Sequence, residues 1–242
     1  MKWACGVTTV PQRIESHLPR TLESLRAGGF EELRLFVDGA ADAGTYRRFG
    51  LPGSFRVPGV GAYGNWLLAL AELCVRCPEV DRYALFQDDL IMCRNVRQYL
   101  ETVPYPEKGY LNLMTFMDNE QLTRRATGWH ETPWRNPGSR KPPYQLGRSA
   151  LALVFSNRAA AVLLGQSHML ERLKGQYRTF RIDGGVVEAM NGAGWKEFAH
   201  NPSLVSHTGR ESTLHKKRWR LNAMSFRGED FDALELLPCA AV

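Results

Sequence analysis

The first 38 residues constrain the fold more than any other part of the chain. The run KWACGVTTV at residues 2–10 is short, apolar and rich in β-formers, and Pro11 closes it. It reads as a buried strand. Leu18, Leu22 and Leu25 then recur on one helical face, with Ser16 standing where a cap would and Gly28-Gly29 ending the pattern. Leu33-Arg-Leu-Phe-Val37 is again strand-like and stops at Asp38-Gly39. Strand, helix and strand at this spacing form one βαβ unit, which requires parallel strands and a right-handed crossover.

The remaining pattern extends that scheme. Residues 40–61 read as loop with a short piece of structure. A helix is predicted from Gly64 to Arg76, with Trp66, Leu70, Leu73 and Cys74 on one stripe. Tyr83–Phe86 is the next strand. Asn95 stands ahead of a helix carrying Val96, Tyr99, Leu100 and Val103, and residues 110–116 are strand-like. Residues 118–147 have no clear period, and a loop of that length reads as a lid, a binding loop or a disordered segment. Order returns with a strand at 149–155, a helix from Asn157, a helix near Asp183 and a last strand at Lys196–His200. Residues 210–242 make a basic C-terminal tail. The expectation is a single α/β domain over 1–242, Rossmann-like, with a mostly parallel central sheet flanked by helices.

Composition narrows the function classes. An apolar content of 44% suffices for a core and argues against disorder. The formal net charge of +6 points weakly to an anionic partner, which a nucleotide phosphate, nucleic acid or an acidic membrane surface would satisfy. Five cysteines include one CxxC, Cys74-Val-Arg-Cys77, without a second pair at zinc-finger spacing, so they read as core thiols. No apolar run reaches transmembrane length and the N-terminal run is too short for a signal peptide, so a cytoplasmic location is expected.

In open α/β sheets, ligands bind outside the carboxyl ends of the strands. That rule selects Thr8 and Thr9 with Arg13, then Asp38, then Asp88 and Asp89 in YALFQDDLIMC. Two adjacent acids after a buried strand can begin a turn, or they can hold a hard divalent cation whose shell a substrate diphosphate completes. His207, in NPSLVSHTG, follows an apolar stretch and precedes a turn. It can be an ordinary surface histidine or a second ligand, in which case manganese suits the imidazole better than magnesium.

Taken together, TTVPQR after the first strand, QDD, GRSALALVFS, the helix opening at Asp183, and HNPSLVSHTGRES resemble GT-A-type glycosyltransferases. The ending is similar to that of the N-acetylglucosaminyltransferase IV-like group. The likeness runs over residues 3–212 in scattered short motifs, and Gln87 departs from the acid that the DxD-type motif carries there. It implies a nucleoside-diphosphate-sugar donor, a UDP-sugar in the commonest case, and Mn²⁺ or Mg²⁺ as cofactor. Asp89 and His207 would bind the metal, with Asp88 a donor contact or second ligand. Thr8, Thr9, Arg13 and Asp38 would hold the nucleoside, Asn65 would add a nucleotide contact, and Gly147 would lie beneath the donor sugar. Asp183 would be the base of an inverting transfer to a hydroxyl acceptor, whether glycan, protein, lipid or modified nucleic acid, although an acid there is equally a helix cap. Glu188 is a weaker substitute. Arg210, Lys216 and Lys217 could steady the diphosphate, and Trp129 or Trp134 could stack on a sugar.

Other readings stand beside this one. A nucleotide-sugar hydrolase would use nearly the same donor site. A nucleotidyltransferase also pairs acids on a similar sheet, but VTTVPQR has no glycine-rich phosphate loop. The basic run HKKRWR at 215–220 allows a nucleic-acid-binding protein, without a recognised motif around it.

Overall fold

A computed structural model describes residues 1–40, 42–115, 127–132, 149–171, 182–208 and 223–238. Its centre is an eight-stranded sheet in the order β3-β2-β1-β4-β8-β6-β9-β7. The strands are β1 (Trp3–Thr9), β2 (Leu33–Asp38), β3 (Gly53–Arg56), β4 (Arg82–Gln87), β6 (Gly109–Asn112), β7 (Gly128–Glu131), β8 (Ala152–Ser156) and β9 (Lys196–Asn201). All run in one direction except β7 and β8, which are antiparallel to their neighbours. The predicted α/β class with a mostly parallel sheet flanked by helices is therefore present. A second, two-stranded sheet pairs β5 (Leu90–Met92) with β10 (Val205–His207).

Alternation along the strands divides the core between two faces. One face carries Val7, Leu35, Phe86 and Val154 under α1 (Leu18–Ala27) and α3 (Val96–Thr102). The other carries Phe36, Tyr83, Leu85 and Phe155 under α2 (Gly61–Arg76), α4 (Asn157–Leu164), α5 (Ser167–Glu171) and α6 (Ile182–Gly192). Leu18, Leu22 and Leu25 are at most 1% exposed, and Trp66, Leu70 and Leu73 are buried as their spacing predicts. Each such side chain contributes about 1.5–3 kcal/mol when withdrawn from water. Gly6 sits in the central strand, where a Cβ would meet the Phe36 ring at 2.5 Å and Leu85 at 3.0 Å. Close packing between neighbouring strands requires glycine there.

Several expected boundaries shift. Ser16 does not cap α1; its hydroxyl pairs with His17 Nδ1 and the helix starts at Leu18 with Pro19 in its first turn. Asn95 takes the N-cap place of α3 with φ 57°, but its amide donates to Asp232. The 40–61 segment contains the strand β3, whose four residues are all half-buried, so an edge position erased the alternation. β6 ends at Asn112, short of the expected 116, because from Leu113 the chain bonds to both β8 and Leu204. β9 is not the last strand, since three-residue β10 follows it. β7 lies within the segment read as a periodless loop. Cys5 and Cys93 are buried, Cys74 and Cys77 half-buried, and all four are free thiols. Among the described residues, no helix is long and apolar enough to cross a membrane.

Candidate functional site

The strand order reverses its course between β1 and β4. From β1 the chain proceeds outward through α1 to β2 and then β3, and α2 on the opposite face returns it to β4. The crevice outside the carboxyl ends of β1 and β4 is the switch point at which α/β sheets take ligands. Thr8 and Thr9 end β1, Asp88 and Asp89 turn the chain from β4 into β5, and both sequences arrive in that crevice.

The two aspartates have different surroundings. Asp88 is 2% exposed; its Oδ2 accepts from the Thr9 hydroxyl at 2.5 Å and its Oδ1 from Arg13 Nη1 at 2.6 Å. The Thr21 hydroxyl of α1 lies 2.8 Å from the Asp88 carbonyl and fixes the backbone of the turn. Burial pushes the Asp88 carboxyl upward, against the Arg13 charge and the Thr9 hydrogen bond. With a guanidinium this near it is an ionised carboxylate, and its charge in turn helps to raise Arg13 above its ordinary value despite burial.

Asp89 is bound less tightly. Its Oδ2 lies 3.2 Å from Arg13 Nη1 and 3.7 Å from His207 Nδ1. Its Oδ1 is buried without a hydrogen-bond partner among the described residues. Burial opposes ionisation here too, but hydrogen bonding and charge from His207, followed by Arg13, hold the carboxyl below the usual range. The neighbour relation comes from the small sheet, in which His207 pairs with Leu90, and Thr208 N donates to the Asp89 carbonyl at 2.8 Å.

An orphaned carboxylate oxygen beside an imidazole is a fitting start for a divalent cation. Among the described residues no cluster of three His, Cys, Asp or Glu side chains could hold an ion. Asp89 and His207 can therefore supply only part of a shell, with substrate oxygens and water for the remainder.

The other predicted residues are distributed around this centre. The Thr8 hydroxyl donates to the Phe86 carbonyl at 3.2 Å, tying β1 to β4. Asp38 lies at the same sheet edge, and its carboxylate accepts from Val60 N at 2.7 Å and Gly61 N at 2.9 Å, capping α2. Asn65 is 2% exposed and joins α2 to its strands: its amide donates to the Phe36 carbonyl and accepts from Arg56 Nε. Those bonds lead away from the carboxylates. Gly147, Trp134, Arg210, Lys216 and Lys217 lie outside the described residues. Trp129 belongs to β7 and packs edge-on against His200 with ring centroids 5.0 Å apart.

Asp183 opens α6. The helix ends just before β9 begins at the amino edge of the sheet, so its start lies toward the carboxyl edge, on the β6–β9 side. Asp183 Oδ1 accepts from Gly184 N at 2.9 Å, and its charge is felt by Glu197 and Tyr110 beneath it. Glu188 is half-exposed and pairs with His168.

Two groups near the acids, and one farther along the sheet, escaped the sequence reading. The Tyr46 hydroxyl is buried without a partner among the described residues and lies within the field of Asp88. Thr21 holds the acid turn from below, and Glu197 is a fully buried carboxyl. A tyrosine in a glycine-rich loop and single polar residues inside apolar runs carry no local signal; only alternation at Glu197, between Lys196 and Phe198, could have marked an inward position.

No family model matches the sequence, and no curated protein matches it. Among solved structures, the chain is similar to mannose-1-phosphate geranyltransferase from Thermus thermophilus, at 16% identity and a TM-score of 0.44, covering 83% of this chain and 74% of that one. It is also similar to a glycosyltransferase involved in the glycosylation of the major capsid of PBCV-1, at 9% identity and a TM-score of 0.48, covering 88% and 95% of the two chains.

Proposed function

We propose that the protein is a metal-dependent glycosyltransferase that moves a sugar from a nucleoside-diphosphate sugar, a UDP-sugar in the first instance, to a hydroxyl acceptor with inversion. The observation that carries this reading is the meeting of Asp89 and His207 in the β1–β4 crevice, with one buried carboxylate oxygen left unpartnered. Asp89 and His207 would hold Mn²⁺, which when bound supplies positive charge for the departing diphosphate. Arg13, held on Asp88, adds a fixed cation to the same crevice. Thr8, Thr9 and Asp38 line up along the edge where the nucleoside would lie.

Transfer needs the acceptor hydroxyl to lose its proton as it attacks the anomeric carbon. Asp183 is the base in this scheme. The new glycosidic bond forms as the bond to the diphosphate oxygen breaks, the electron pair leaves with the nucleoside diphosphate, and the proton stays on Asp183. The start of α6 lies toward the same carboxyl edge of the sheet, on the β6–β9 side, a placement that would suit an acceptor approaching opposite the donor.

Calorimetry of UDP binding with Mn²⁺ and then with EDTA tests the donor half. Binding that EDTA abolishes, and that Asp89→Asn weakens at least about hundredfold, is the expected result. Metal-independent binding of equal strength would overturn the roles of Asp89 and His207. For the acceptor half, Asp183→Asn should lose transfer while keeping UDP binding; undiminished transfer would make Asp183 a helix cap only. Release of free sugar without any acceptor dependence would identify a hydrolase instead.

A further inference from the structure

Asp88 is buried and Asp89 half-buried, and among the described residues one guanidinium reaches both. Arg13 Nη1 lies 2.6 Å from Asp88 Oδ1 and 3.2 Å from Asp89 Oδ2. The two contacts differ in more than length. Asp88 is fixed from three directions: by the Thr9 hydroxyl on its second oxygen, by Thr21 on its carbonyl, and by its near-complete burial. Asp89 has its second oxygen unpartnered and its side chain 14% exposed. Arg13 itself is 15% exposed, so it borders the crevice. Its position comes from a short 3₁₀ turn, Pro11–Arg13, that starts where β1 leaves the sheet.

We propose that Arg13 is a displaceable counter-ion: anchored on Asp88, it neutralises Asp89 in the ligand-free protein, competes there with a divalent cation, and turns to an anionic phosphate group when one enters the crevice. Asp88 is then a positioning residue, and the doublet works asymmetrically. This inference rests on the proposed metal role of Asp89.

Charge balance governs this cluster. A buried carboxylate without a counter-ion is expensive, so Asp89 takes the nearest cation when no metal is present. Arg13 and a divalent cation cannot both sit against Asp89 Oδ2 without repelling each other across a few ångströms of weakly screened space. A phosphate removes the conflict. It offers the guanidinium a bidentate partner next to the one it keeps, so the cation can take Asp89 while Arg13 holds Asp88 and the anion. Metal and phosphate binding are thereby coupled through one side chain.

The test is calorimetry with Mn²⁺ alone and with pyrophosphate alone, on the wild type, Arg13→Gln, Arg13→Lys and Asp89→Asn. Mn²⁺ alone should bind Arg13→Gln at least tenfold more tightly than the wild type, because the competing cation is gone. Metal-free pyrophosphate should bind Arg13→Gln at least tenfold more weakly. Arg13→Lys keeps a charge on Asp88 and hence the fold, and one ammonium can still reach both acids as Arg13 Nη1 does, so its Mn²⁺ affinity should stay near that of the wild type, while the loss of the guanidinium fork should weaken metal-free pyrophosphate binding. If Asp89-dependent Mn²⁺ binding is unchanged or weaker in Arg13→Gln, the counter-ion role is overturned while the metal site stands. If pyrophosphate binds Arg13→Gln as it binds the wild type, Arg13 does not turn to phosphate. If no protein binds Mn²⁺, or if Asp89→Asn binds it unchanged, the metal reading falls and the inference with it.

Discussion

At the carboxyl ends of β1 and β4, the buried Asp88 and the half-buried Asp89 are charged and share a guanidinium. Three strands away, at β6 and β9, the fully buried Glu197 is held by neutral groups: the Tyr110 hydroxyl at 3.0 Å and the Asn112 amide at 3.4 Å. Burial, with the Asp183 charge nearby, pushes its carboxyl up to about 8 against those hydrogen bonds, so Glu197 is protonated at neutral pH. His200, on the same strand, is neutral for the matching reason: burial drives it down to about 4 while its Nδ1 donates to the Pro202 carbonyl and the Tyr99 hydroxyl meets its Nε2, each at 2.7 Å. Burial is common to both regions. Whether a counter-ion is within reach decides which buried groups keep a charge.

The strongest way to break this contrast is to remove the carboxylate on which Arg13 is anchored. Asp88→Ala leaves the half-buried Arg13 guanidinium short of its nearest partner and should cost about 3–5 kcal/mol, read from urea unfolding. A cost under about 1 kcal/mol would mean that the acids are not a charged unit.

Acid tests the neutral region next. The folded protein holds His200 below its unfolded value of 6.5, so between pH 6.5 and about 4 only the unfolded chain takes up its proton. Stability from this residue is therefore full above 6.5 and lost as pH falls, by about 3 kcal/mol in all. The acid limb of a pH–stability curve should be correspondingly shallower in His200→Gln.

Glu197 carries the opposite sign. Its folded value lies above 4.5, so the folded state retains a proton that the unfolded state has lost, and stability falls as pH rises from 4.5 toward 8. Glu197→Gln removes that slope and should gain about 2.5 kcal/mol on the wild type between pH 5 and pH 7. A difference that does not change with pH would place a charged Glu197 in the core and erase the contrast between the regions. The mildest change is Thr9→Val, which deletes one hydrogen bond to the Asp88 carboxylate and should cost about 2 kcal/mol by thermal unfolding.

The two regions were also unequally legible. The β1-α1-β2 unit, the α2 stripe and the place of Asp88-Asp89 after a strand follow from periodicity, because an amphipathic element announces its buried face within a few residues. In the second half of the chain, β7 and β10 are four and three residues long, too short for a period to register. Trp129, read as a loop aromatic for a sugar, is a strand residue against His200. Asp38 ends β2 as expected, whereas Asn65 lies a full turn inside α2, which begins at Gly61 rather than Gly64; both side chains make internal bonds, capping α2 and tying it to β2 and β3. Sequence position cannot separate a polar group that faces a ligand from one that satisfies a backbone.

The sequence by itself determined the class of the fold, the faces of its helices and the arrival of two carboxylates at the end of β4, since each of these depends on neighbours a few positions apart. Only the tertiary structure decided that the pairing of β5 with β10 brings His207 to Asp89, that Arg13 spans both acids, and that Asp88 is anchored while Asp89 keeps an oxygen unpartnered. Those relations join residues from distant parts of the chain. They arise because buried charges and backbone groups must find partners wherever the packed sheet presents them.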